Sequence, residues 1–189
     1  SSQLETSLRN ENNYLGGAGN TTETGTNNTY IMGENNTVRG FSRNNIIIGN
    51  QNEIANGVNN TNVFGTLGEA TADNSIVLGC NAGTDNLGER QSIQLMYGRQ
   101  TTNGVSKYSY LNNTTDSYFE VPTDTVMYFH ADIVTVRVGG SAGAGAVGDY
   151  ASWVERGVVI NKSGTLSINR ERDTIKGSGT VTNWLPTGI

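Results

Sequence analysis

Between residues 27 and 79 one short phrase recurs six times: asparagine, one or two variable residues, a branched aliphatic, one or two more residues, then glycine. It reads NNTYIMG (27–33), NNTVRG (35–40), NNIIIG (44–49), NEIANG (52–57), NTNVFG (60–65) and NSIVLG (74–79). The closing glycines, Gly33, Gly40, Gly49, Gly57, Gly65 and Gly79, are spaced 7, 9, 8, 8 and 14 residues apart. Helical repeats need roughly 20–47 residues, so units this short exclude a helical array. They fit one short strand and one tight turn each. Valine and isoleucine favour the strand, and asparagine and glycine supply left-handed backbone at the corner.

Composition agrees. Glycine and asparagine each occur 25 times in 189 residues, and both are poor in helix interiors, which excludes a mostly helical protein. The apolar fraction is 34% and the charged fraction only 15%, whereas disordered chains pair low hydrophobicity with high charge. Asparagine is concentrated in the first half, with 19 in residues 1–86 and 6 beyond. Aromatic residues show the opposite trend: only Tyr14, Tyr30, Phe41 and Phe64 precede residue 87. A domain boundary is expected near Asn86–Arg90.

Two aliphatic side chains per eight-residue unit do not offset the entropy of ordering the unit, so the rungs must stack and be covered. Other copies of the same chain supply such cover. The expectation is a homotrimer with Ile31, Val38, Ile47, Ile54, Val63 and Val77 directed to a common threefold axis. The alternative is a monomeric β-solenoid, in which repeats stack within one chain.

The N-x-(I/V)-x-G units over residues 27–83 resemble the head repeats of trimeric autotransporter adhesins and the similar repeats of bacteriophage tail fibres. The resemblance implies a stem built as a β-roll or as an interwoven β-prism.

Beyond residue 87 the pattern is that of a small all-β domain. SIQLMYG (92–98) and VSKYSYL (105–111) flank Thr101–Gly104, where Asn103-Gly104 is a strong hairpin signal. A long strand follows over 126–138, with a bulge expected near Ile133–Val134, where the apolar alternation changes face. GGSAGAGAVGD (139–149) reads as a flexible loop, SWVERGVVIN (152–161) and TLSIN (165–169) as strands, and RERD (170–173) as a solvated loop. FEVPTDTVMYFHADIVTVRV followed by ASWVERGVVIN resembles a β-sandwich domain found near the ends of phage tail fibres and related virion proteins. In that family the chain continues past the position of Trp184, so stopping at Ile189 suggests a tip that is truncated or abbreviated. The fold expected is all-β: residues 1–26 a connector, 27–86 a trimeric repeat stem, and 87–189 a β-sandwich tip.

The net charge of −5, with lysine only at Lys107, Lys162 and Lys176, disfavours a nucleic-acid partner. No apolar run is long enough to cross a membrane as a helix. The chain begins at Ser1 without methionine and without an apolar signal core, as a processed fragment would. Cys80 is the only cysteine, expected as a small buried residue, and His130 the only histidine, expected as a strand residue. No metal or cofactor is expected. Asp116 with Glu120, Asp132, Glu155, and Glu171 with Asp173 are the carboxylates that a glycosidase would draw on, but none neighbours an aromatic-lined insertion, so no enzyme is expected. Tyr108, Tyr110 and Trp184 are the candidate receptor contacts, because aromatic rings cover the C–H faces of sugars while their polar tips stay wet. The expected function is structural and adhesive: a trimeric fibre that binds a cell-surface glycan for host attachment, from a virion or a cell surface. A bacterial trimeric surface adhesin and a glycan depolymerase spike are the alternatives.

Overall fold

The computed structural model describes residues 10–81, 83, 85–101, 108–111, 117–141 and 144–178. It is all-β among these residues and divides into two units: Ser1–Gly98 with Ser109–Glu120, and Arg99–Tyr108 with Val121–Ile189.

The first unit is a β-solenoid. Five-residue and two-residue strands alternate along it: β1 (Tyr14–Ala18), β2 (Thr21–Thr22), β3 (Tyr30–Glu34), β4 (Thr37–Val38), β5 (Ile46–Asn50), β6 (Glu53–Ile54), β7 (Asn62–Thr66), β8 (Glu69–Ala70) and β9 (Ser75–Gly79). The long strands stack in parallel as one sheet and the short strands as another. Tyr14, Tyr30, Ile46 and Asn62 lie in one register column, so each coil takes sixteen residues. The spacings of seven plus nine and eight plus eight therefore pair into coils. One sequence unit makes the long strand and the next makes the short strand. The last step is fourteen residues, from Asn62 to Ile76. The missing pair is a corner turn, present as Gly40-Phe41 and Asn56-Gly57 but absent between Ala70 and Asp73.

Within the long strands the period of two decides which side chains turn inward. Ile31, Ile47, Val63 and Val77 form one interior column and Val38, Ile54 and Ala70 the facing one, all fully buried. The six aliphatics expected at a threefold axis are thus enclosed by their own chain. The inference from hydrophobic spacing placed them correctly inside a core, but one coil has enough residues to close that core by itself. Residues 10–26, expected as a connector, form the first coil, where Leu15-Gly16-Gly17 replaces the usual aliphatic phrase. β10 (Gln91–Leu95), expected in the second domain, adds antiparallel to β9, and Ile93 packs on the solenoid core.

Two features hold the coils in register. Gly33, Gly49 and Gly65 have φ of +133°, +144° and +100°, and a Cβ on Gly33 or Gly49 would stand 1.8 Å from the next coil's glycine carbonyl. Beside this glycine column runs an amide column, half-buried at Asn20 and buried at Asn36 and Asn52. Asn52 donates its backbone N–H and its Nδ2 to Asn36 Oδ1 (both 3.0 Å), donates Nδ2 to Gly65 O (2.9 Å), and accepts the Gly68 N–H at Oδ1 (2.8 Å). At this corner the chain leaves the ladder, and the amide takes up backbone groups that would otherwise be buried without partners.

The second unit contains a three-stranded antiparallel sheet, β11 (Thr125–Val136), β12 (Tyr150–Lys162) and β13 (Thr165–Gly177), with β12 central. Ser163 (φ +51°) and Gly164 (φ +82°) make the two-residue turn between β12 and β13, the primed geometry that matches strand twist. β11 pairs with β12 from Thr125 to Val136 without a register shift, so the bulge expected at Ile133–Val134 is absent. The shift lies instead between Ser152 and Trp153 against β13. β11 keeps apolar residues on both faces because Val126, Tyr128, Val134 and Val136 point away from the side that carries Ile133 and Trp153. The described residues of this unit form a single sheet layer, not the two layers of a sandwich.

RERD is part of β13, not a loop. Strand alternation sends Arg170 and Arg172 to one face, where both bond Glu155, and Glu171 and Asp173 to the other, where both pair with Arg156. Glu155 is 1% exposed, and the two guanidiniums satisfy a carboxylate that would be costly to bury alone. The loop after β11 is also less free than its composition suggests. Arg137 donates to the carbonyls of Gly140, Ala144 and Gly145, at 2.6–2.9 Å.

Removing the buried amide at Asn52 strands the Gly65 carbonyl and the Gly68 N–H, while Asn36 Oδ1 keeps the backbone N–H of residue 52. Asn52→Ala is therefore expected to cost on the order of 3–5 kcal/mol, whereas Asn28→Gly, an exposed left-handed position, should stay within about 0.5 kcal/mol. Urea unfolding of the two variants checks the contrast.

Candidate functional site

The outer wall of the solenoid carries a second asparagine column: Asn12, Asn28, Asn44, Asn60 and Asn74. All five are left-handed, with φ of +51° to +56°. Asparagine tolerates this conformation better than other side-chain-bearing residues. Each Nδ2 donates to the next Oδ1 at 3.1–3.2 Å, and Asn74 passes its amide to Leu111 O. Along the column each interior amide retains one N–H and one lone pair for a ligand.

A groove lies on either side of this column. One, of about 450 Å³, has Tyr14, Tyr30 and Ile46 as its apolar wall. The two tyrosine rings stack with centroids 4.9 Å apart. The other, of about 430 Å³, is lined by Phe41, Arg43, Asn44, Asn59, Asn60, Asp73 and Asn74. Both have the size of small-molecule sites, although they are open grooves on a flat wall.

Phe41 is the unusual member. It occupies the second position of a corner turn that is Thr24-Gly25 in the first coil, Gly40-Phe41 in the second and Asn56-Gly57 in the third. The left-handed φ values there are +80°, +59° and +75°. Glycine takes this conformation freely, whereas a side chain with Cβ costs about 1–2 kcal/mol. Phe41 bears that cost while remaining 51% exposed as a residue, so burial does not repay it. Above it, the shortened corner of the fourth coil leaves the Cβ position of Gly57 with no heavy atom within 4 Å. Arg43 has no side-chain partner among the described residues, and Asp73 accepts the Asn59 N–H at 2.7 Å.

The short-strand sheet carries charge instead. Arg39 bridges Glu23 (2.8 Å) and Glu53 (2.8 Å) across the coils. Its hydrogen bonds hold the Glu23 carboxyl below the usual range, assisted by the Gly40 N–H, and the two carboxylates raise the Arg39 pKa. Glu69 stacks on Glu53 without a guanidinium of its own, and burial followed by repulsion from Glu53 pushes its carboxyl up.

The residues singled out from sequence are scattered. Tyr108 is exposed, and Tyr110 is half-buried with its backbone paired to Gly98, at the base of the expected hairpin. Trp184 lies outside the described residues, as do Asn103-Gly104 and Asp116. His130 sits in β11 with Nε2 3.3 Å from Asp132 Oδ1, both exposed. Cys80, expected buried, is exposed. Among the described residues, no three His, Cys, Asp or Glu side chains gather as a metal site, and no helix is long and apolar enough to cross a membrane. Phe41 was missed because a single aromatic in a polar repeat carries no periodic signal. The swapped order Gly-Phe, where neighbouring coils read x-Gly, was the available clue.

No family model, curated protein or solved structure matches the chain. The functional reading therefore rests on its own surfaces.

Glu69 gives a pH test of the stacked carboxylates. Its folded-state pKa lies above the unfolded value, so the unfolded chain loses the proton first and stability falls as pH rises from the ordinary carboxylate pKa through the folded one. Glu69→Gln removes that loss. Thermal melts should show the variant more stable than the parent at pH 7 and nearly equal to it at pH 4.

Proposed function

We propose that the chain is a structural and adhesive segment of a homotrimeric fibre, carried on a virion or a cell surface, which attaches to a host through a glycan without catalysing a reaction. The observation that carries this reading is the outward face of the long-strand sheet. Tyr14, Tyr30, Met32, Ile46, Ile48, Ile76 and Leu78 are exposed there, Phe64 is half-buried, and these two outward columns contain no charged residue. A contiguous apolar face of this kind marks an interaction surface.

The occupant proposed is a further copy of the chain. With strands about 4.8 Å apart and residues about 3.3 Å apart, the five parallel strands present roughly 400 Å², and the sheet of the second unit roughly 600 Å². Stable interfaces bury about 800 Å² on each partner, so the first face taken by itself covers roughly half of that area and the second roughly three quarters. The second sheet contributes Val126, Tyr128, Val134 and Val136, and a copy of that sheet would provide the second layer of a sandwich. The resemblance of the repeats to trimeric adhesin heads and phage fibres favours three copies. Glycan attachment is supported by the grooves beside the outer asparagine column, where amides and aromatic rings adjoin. A glycan-cleaving spike is the weaker reading: Glu53 and Glu69 differ in environment, as an acid–base pair must, but neither lines a groove.

Light scattering at micromolar concentration should give the mass of three chains. Ile48→Glu, on the outward face, should yield folded monomers with unchanged β signal, while Ile47→Glu, in the interior, should fail to fold. A wild-type chain that stays monomeric would remove the assembly from this reading.

A further inference from the structure

We propose that Phe41 is the stacking platform of a carbohydrate site on the solenoid wall, completed by Arg43, Asn44, Asn60 and Asp73. The proposal deepens the adhesive reading above, on which it rests, and moves recognition from Tyr108, Tyr110 and Trp184 to the repeat itself.

Four observations converge on this groove. The corner column demands left-handed backbone, and the coils on either side meet the demand with Gly25 and Gly57. The second coil places its glycine one residue early, at Gly40, where a Cβ would come within 3.0 Å of Thr24 O. The left-handed position is thereby given to a large aromatic residue whose ring stays in solvent. Strain borne without local compensation is a feature of binding and catalytic positions. In the next coil of the same corner column the Cβ position of Gly57 has no heavy atom within 4 Å, and the coil after it is two residues shorter.

The polar groups around the ring suit one ligand chemistry. A pyranose has a C–H face that packs on an aromatic ring and a rim of adjacent hydroxyls that both donate and accept. Asn44 and Asn60 each retain a donor and an acceptor after their ladder bonds. Arg43 offers an unpaired guanidinium, and Asp73 keeps one carboxylate oxygen without a partner. The opposite charges of Arg43 and Asp73 cancel, so the groove favours an uncharged sugar over a phosphate, a sulfate or a nucleic acid. The asparagine column continues past the groove at one coil per step, about 4.8 Å. A glycan chain lying along the solenoid axis would meet the same amide at each step.

The test uses the full chain and a panel of immobilised cello-, chito-, manno- and galacto-oligosaccharides. The wild type should bind at least one neutral member. Phe41→Gly installs the residue that the neighbouring coils already have. It should weaken that binding at least about tenfold, with unchanged oligomer mass and a melting temperature no lower than the parent's. Phe41→Tyr should retain binding, and Arg43→Ala, which breaks no side-chain hydrogen bond or ion pair among the described residues, should weaken it. Equal binding by Phe41→Gly and wild type would overturn the site while leaving the adhesive reading intact. A wild type that binds no oligosaccharide would overturn both the site and the glycan reading. Loss of whole-cell adhesion in Phe41→Gly without competition by any oligosaccharide would assign the groove to a protein partner and overturn the carbohydrate class. A lowered melting temperature in Phe41→Gly would make the ring a packing element and likewise overturn the proposal.

Discussion

The structure depends on how closely successive coils approach at the glycine column. A carbonyl of one coil occupies the place where the Cβ of the preceding coil's glycine would be, 1.8 Å away at Gly33 and Gly49. No other residue fits there. Each coil must therefore return to a glycine after a fixed number of residues, and that return sets the register of everything else. The interior aliphatics stack on one another, the asparagine amides meet at hydrogen-bonding distance, and the outer asparagines form a continuous column. A slip of one residue would bring a side chain into the carbonyl and turn the aliphatics outward at the same time.

A solenoid this narrow has a consequence for its surface. Ile46, Ile47 and Ile48 are consecutive, so a strand with period two sends only Ile47 inward and leaves the other two outside. Closing the coil buries one column and exposes two. Interior packing and the apolar outer face are thus specified by the same three-residue phrase, and the chain cannot gain core aliphatics in this pattern without gaining an apolar wall. In the second unit, β11 has the same property, with apolar residues on both faces.

Much of this was legible in the sequence. Repeated asparagine, β-branched residues and glycine specify short strands with left-handed corners, and the long strands of the second unit follow from their alternation. What the eight-residue phrase concealed was that it describes half a coil. Gly33, Gly49 and Gly65 form one column and Gly40 and Gly57 belong to the opposite corner, so the uneven spacings of seven and nine were the signal of a sixteen-residue period. Reading the phrase as a whole rung sent Ile31, Val38, Ile47, Ile54, Val63 and Val77 to an axis between chains. The first coil was hidden because Leu15, which is not β-branched, takes the register of Ile31, and Gly16 stands where the next coils have Met32 and Ile48. RERD was hidden because alternating charges have the composition of a loop but the period of a strand, which becomes apparent only when Glu155 and Arg156 lie opposite. Phe41 had no signature except a glycine one position out of place.

The central claim is that sixteen-residue coils close within one chain. It can be tested by nuclear Overhauser contacts in a sample assembled from differently labelled chains, which separates contacts within a chain from those between chains. Backbone contacts within one chain are expected between Tyr30 and Ile46 and between Ile46 and Asn62, sixteen residues apart, and between Asn62 and Ile76, fourteen apart. Strand contacts that appear only between differently labelled chains, at offsets of seven to nine residues, would contradict the account and indicate an interwoven prism instead.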